Sequence, residues 1–81
     1  MMDLNANVKY GNGSACFKIH RENSGVYCAD LFYFDGDRAL SPPDKIILMR
    51  GIRGWRGSFD NAALLNDLGM IIDTYLLNIQ E

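Results

Sequence analysis

Residues 45–58 read Lys45-Ile46-Ile47-Leu48-Met49-Arg50-Gly51-Ile52-Arg53-Gly54-Trp55-Arg56-Gly57-Ser58. The run Ile46–Met49 is apolar on both faces, which is the pattern of a strand covered on both sides. Three Arg-Gly pairs follow in step, one of them trailed by the only tryptophan. Beyond them Leu64, Leu68, Ile71, Ile72, Tyr75 and Ile79 share one face at helical spacing, with Leu65 and Leu76 at its edge. The stretch therefore reads as a strand, a glycine-arginine hinge and a long amphipathic helix. Ser58 or Asp60 is placed to cap the helix. Gly69 has no propensity reason to lie inside it and is expected to let the helix come close to a sheet.

Working back toward the N-terminus, Leu4-Asn5-Ala6-Asn7-Val8-Lys9-Tyr10 alternates strictly, as a half-buried strand does. Asn12-Gly13 is the hairpin signal after it. Taken as the two-residue loop, it sets Val8 against Phe17, Ala6 against Ile19 and Tyr10 against Ala15. A loop ending at Gly25 then sets Ile19 opposite Ala29, Phe17 opposite Leu31, Ala15 opposite Tyr33 and His20 opposite Cys28. Lys18 meets Asp30 on the other face, a favourable cross-strand pair. Pro42 and Pro43 cannot donate to a ladder, so they precede the strand beginning at Lys45. The expected fold is α+β: a four-stranded antiparallel meander with one C-terminal helix packed across one face, forming a single domain over residues 1–81.

With 81 residues, 48% of them hydrophobic, and a formal net charge of -2, the chain is a small globular one and not a general polyanion binder. Its charge is segregated. Lys45, Arg50, Arg53 and Arg56 stand without an acid over residues 45–58, while Asp60, Asp67, Asp73 and Glu81 stand without a base over residues 59–81. The acids of the helix are expected to neutralise the hinge. No leader or membrane-spanning run is apparent, and two cysteines are too few for a disulfide framework. Cys16 and Cys28 are expected to be free thiols of a cytoplasmic protein that needs no cofactor.

Four groups of residues invite a chemical reading. Glycines leading into a helix can turn backbone N–H groups toward an anion, so Arg50, Arg53 and Arg56 are candidate anion contacts. Trp55 between arginines is also the kind of platform on which single-stranded bases stack. The Walker and dinucleotide spacings are absent. A tight connection is the favoured reading, with its arginines paired to helix acids and Trp55 largely buried at the end of the core. His20 facing Cys28, with Asp30 one step along, could be half a metal site or a nucleophile and base. A tetrahedral structural site needs four ligands, and Cys16 lies four residues from His20 along the same strand, so no metal site is expected. A reactive thiol needs an electropositive pocket and the pattern offers none, so no catalysis is expected either. Asp35, Asp37 and Asp44 share one loop but miss the EF-hand pattern, with Leu40 and Ile46 where glycine and glutamate belong.

The element order is similar to that of the single-stranded-DNA-binding transcriptional coactivator family, in which a meander of four strands precedes a helix. The likeness is topological and brings no residues with it. The reading preferred on the residues is a non-enzymatic interaction module that pairs with itself or with another protein. Its candidate interface is Phe32 and Phe34 on the outer sheet face first, then Met70 and Leu77 on the helix stripe that also holds Ala63. The alternative is a single-stranded nucleic-acid or anion-binding domain using the hinge at residues 50–58.

Overall fold

The computed structural model of the protein describes residues 3–79. Five strands are followed by one helix: β1 (Asp3–Tyr10), β2 (Gly13–Asn23), β3 (Val26–Phe34), β4 (Lys45–Gly51), β5 (Gly54–Gly57) and α1 (Ala62–Ile79). A short 3-10 turn, Arg38–Leu40, lies in the loop between β3 and β4. The strands form one antiparallel meander in the order β1-β2-β3-β4-β5. The architecture is therefore the expected α+β meander and helix, with one strand more than four.

The extra strand is made from the hinge. β4 runs on to Gly51, the chain turns at Ile52 and Arg53, and Trp55 comes back opposite Arg50. Gly54 has φ 131°, a backbone conformation that L side chains rarely adopt, so the turn can close without strain. Ser58 extends the same pairing instead of capping α1. Its N–H donates to the Ile47 carbonyl at 2.9 Å, and its hydroxyl accepts from the Ile47 N–H at 3.0 Å. The helix is capped by Asn61, whose side chain accepts from the Leu64 N–H at 3.1 Å.

The first hairpin closes one step earlier than Asn12-Gly13 suggests. Tyr10 pairs with Gly13, Val8 with Ala15, Ala6 with Phe17 and Leu4 with Ile19. Gly11 carries the positive φ, 59°, as the first central residue of a type II′ turn requires. Gly13 is needed for another reason. A Cβ there would meet the Gly36 nitrogen at 2.5 Å, because the β3–β4 loop folds back over this turn. Asp35 accepts from the Ser14 N–H and Asp37 from the Ala39 N–H, so these acids hold the loop. A slip of two residues keeps every side chain on its face, and the core survives the change of register.

Between β2 and β3 the expected pairs Ile19–Ala29, Phe17–Leu31, Lys18–Asp30 and His20–Cys28 all form. Ala15 is an exception, since it meets Phe34 and not Tyr33. An irregularity between Cys16 and Phe17 inserts Phe32 as an extra residue. The bulge re-aims the end of β3. Phe34, expected on the outer face, is half-buried against the core, with Tyr10 edge-on at 6.2 Å.

The core lies between the sheet and the helix. Ala6, Ala15, Phe17, Ile19, Ala29, Ile46 and Leu48 meet Leu64, Leu65, Leu68 and Ile72, and all are buried. Ile71, Tyr75 and Leu76 close the edges of the same face. Helix positions repeating every three or four residues and strand positions repeating every second residue thus supply the two halves of one apolar layer. The opposite sheet face carries Cys28, Asp30, Ile47 and Met49, and no helix among the described residues packs on it.

Candidate functional site

Two clusters of chemistry-bearing residues emerge, one on each face of the sheet. The first is the corner where β5 meets α1. Trp55 is half-buried, less than expected for the end of a core, and its ring lies 5.6 Å from that of buried Tyr27. Its indole N–H donates to Asp73 Oδ2 at 3.3 Å. The other carboxylate oxygen, Oδ1, is shielded from solvent and makes no hydrogen bond of good geometry. Its charge is met by Arg50 Nη2 at 2.7 Å. The same guanidinium lies 5.7 Å from the centre of the indole. Gly69 supplies the seat, since a Cβ there would fall inside van der Waals contact of three indole ring atoms.

This geometry separates the residues of the hinge. Arg50 turns toward the helix and pairs with a helix acid. Arg53 sits exposed at the turn, and Arg56 is exposed opposite Met49. A shallow groove touches all three, along with Met49, Gly51 and Ile52. The indole is taken up by Gly69, Tyr27 and Asp73. A base-stacking platform needs an open aromatic face, and this one is pressed against a helix.

The second cluster lies on the outer face of β2 and β3. The register sets His20 against Cys28, and Asp30 follows two residues later on the same side of β3. His20 Nδ1 is 3.7 Å from Asp30 Oδ2, and Cys28 Sγ is 3.7 Å from Asp30 Oδ1. His20 Nε2 holds Glu22 Oε2 at 2.6 Å. Lys18 and Lys45 flank Asp30 in register, yet among the described residues no ion pair joins either of them to it. The sequence pattern suggested a Lys18–Asp30 pair, but the carboxylate turns to the histidine and the thiol instead.

Burial pushes the Cys28 thiol above its ordinary pKa, the Asp30 carboxylate adds to the push, and Lys45 partly opposes it. A nucleophilic cysteine needs the opposite shift, so the free side chain is a protonated thiol at neutral pH. Both cysteines are free, Cys28 buried and Cys16 half-buried. In the folded, metal-free protein near neutral pH, a thiol reagent is expected to modify Cys16 first. Cys28 follows when the pH is raised or denaturant is added. Mass mapping of the labelled cysteines checks this, and preferential labelling of Cys28 would contradict it.

The candidate interface residues divide. Phe32 is 59% exposed, and Tyr33, which the sequence pattern does not single out, is 56% exposed beside it. Both project outward because of the bulge. Met49 is exposed on the same sheet face but stands apart from that pair, opposite Val26 at the other end of β3. On the helix Met70 and Leu77 are exposed as expected, while Phe34 is turned inward. No helix among the described residues is long and apolar enough to cross a membrane. No protein-family model matches the chain, and neither a curated protein nor a solved structure matches it.

Proposed function

We propose that the protein is a small non-enzymatic interaction module that pairs with a second copy of itself through the outer face of its sheet. The observation that carries this reading is the adjacent pair Phe32 and Tyr33, exposed at 59% and 56% on the outer face at the end of β3. Neighbouring exposed aromatic side chains more often mark an interface than scattered apolar surface does. The size of the chain supports the same reading. A domain of 81 residues with one helix against one sheet face gains much from a second layer on the other. Two free thiols suit a reducing compartment, and we assign the protein to the cytoplasm on that ground.

Two substitutions distinguish the sheet face from the helix stripe. Phe32→Asp sets a charge in the proposed interface and is expected to release monomers, with the circular dichroism of the fold retained. Met70→Asp is expected to leave the dimer intact. Monomers released by Met70→Asp alone would move the interface to the helix.

A second reading rests on the groove lined by Arg50, Arg53 and Arg56, which offers cations to a nucleic acid or a smaller anion. Arg50 is already neutralised by Asp73, which leaves two arginines in a chain of net charge -2. Phosphate contacts that few give weak binding with only a shallow salt dependence. Oligonucleotide affinity is therefore expected to be no tighter than about 100 μM at moderate salt, at or beyond the weak end of non-specific binding. Micromolar affinity lost in an Arg53→Ala, Arg56→Ala double variant would favour this second reading.

A further inference from the structure

We propose that His20, Cys28 and Asp30 form a zinc-binding site on the outer sheet face, with Glu22 orienting the histidine and a water completing the shell. The three side chains offer nitrogen, sulfur and oxygen ligand atoms that all lie within 4.8 Å of one another. Zinc bonds of about 2.0–2.3 Å in a tetrahedron place neighbouring ligands about 3.3–3.8 Å apart. His20 Nδ1 is 3.7 Å from Asp30 Oδ2 and Cys28 Sγ is 3.7 Å from Asp30 Oδ1, so the two contacts end on different oxygens of one carboxylate. With one atom taken from each residue the set lies within 4.8 Å, so a turn of the carboxylate and a closure of about 1 Å bring the ligands onto one ion.

The contact with Glu22 is an independent indication. A metal-bound histidine characteristically donates its second ring N–H to a carboxylate, which fixes the tautomer and the plane of the ring. Here Glu22 Oε2 lies 2.6 Å from His20 Nε2. With the proton on Nε2, the Nδ1 lone pair is left on the side of Cys28 and Asp30. Glu22 owes its position to the register irregularity between Arg21 and Asn23, just before the turn. Asp30 is not consumed by either flanking lysine, so its carboxylate is available to a cation.

The donor set selects the metal. A thiolate and an imidazole favour zinc over magnesium or calcium, which prefer oxygen alone. Three protein ligands leave one position open, and the side chains of His20 and Asp30 are 37% and 43% exposed, so ion and water have a path in. On binding, the Cys28 S–H proton leaves to solvent as the S–Zn bond forms. The site shares a face with the proposed self-association but does not rest on it, because all of its ligands come from one chain.

Cobalt(II) is the spectroscopic probe, titrated into the reduced full-length chain and then displaced by zinc. Saturation at one ion per chain is expected. The intense visible bands of a four-coordinate ion and a thiolate-to-cobalt charge-transfer band should appear together, and zinc should discharge both. Cys28→Ser should abolish the charge-transfer band, while Cys16→Ser should retain it. His20→Gln and Asp30→Asn should each weaken binding at least about tenfold, and Glu22→Gln, which removes only the orienting carboxylate, about 10–100-fold. Circular dichroism establishes that each variant is folded. The proposal is overturned by folded wild-type protein that gives no charge-transfer band at saturating cobalt. It is equally overturned by a band that survives Cys28→Ser, by His20→Gln binding as tightly as wild type, or by one ion per two chains.

Discussion

Replacing Trp55 by alanine is expected to destabilise the protein by about 3 kcal/mol, the low end of the range for removing a large aromatic from a core. The low end applies because the indole is half-buried. Three losses combine. The ring leaves a void between Tyr27 and Gly69, where its edge contacts are made. Asp73 loses the indole N–H that it accepts at 3.3 Å. Arg50 loses the aromatic face near its guanidinium, and being largely exposed it recovers little from its ion pair alone. Urea unfolding followed by circular dichroism measures the change. A loss below about 0.5 kcal/mol, the scale of an ordinary surface substitution, would mean that Trp55 does not hold the helix to the sheet.

Gly69→Ala is the second large effect, and its sign is the opposite of what helix propensity gives. In an exposed helix interior, alanine in place of glycine is favourable by about 1 kcal/mol. Here the added methyl would enter the indole of Trp55. The ring cannot simply swing aside, because Tyr27 and Asp73 hold it. Overpacking of this kind costs about 1–3 kcal/mol, and with the propensity gain of about 1 kcal/mol set against it a net destabilisation of up to about 2 kcal/mol is expected. The decisive comparison uses the Trp55→Ala background. With the ring gone the clash is gone, and Gly69→Ala should then stabilise by about 1 kcal/mol. The same sign in both backgrounds would show that Gly69 is not the seat of the tryptophan.

That pairing also marks where the sequence is legible and where it is not. The apolar faces of β1, β2 and α1 could be read directly, because periods of 2 and 3.6 are local properties of the chain. So could the misfit of Gly69, which announced a close approach without naming the partner. The partner was hidden because β5 is four residues long, begins and ends in glycine, and carries no alternating pattern. Its pairing with β4 is decided by where Trp55 must go. The two-residue slip in the first hairpin has the same kind of cause, since Gly13 answers to Gly36 and not to its own turn. The bulge at Phe32 has no glycine to signal it, and it alone moves Phe34 from the outer face to the core.

The candidate sites divide along the same line. Register alone placed His20 opposite Cys28, so the outer-face cluster was visible in outline. The turn of Asp30 away from Lys18 was not, because it depends on side-chain positions across three strands. In the hinge, the even spacing of Arg50, Arg53 and Arg56 suggested a common site. Strand geometry separates them, since Arg50 shares the helix side with Trp55 while Arg56 stands opposite Met49 on the other face.

The mass of the protein in solution tests the central claim most directly. Light scattering at micromolar concentration should return twice the 9.1 kDa chain mass for the wild type, falling to the chain mass for folded Phe32→Asp. A wild-type mass of 9.1 kDa throughout that range would contradict pairing through the outer sheet face.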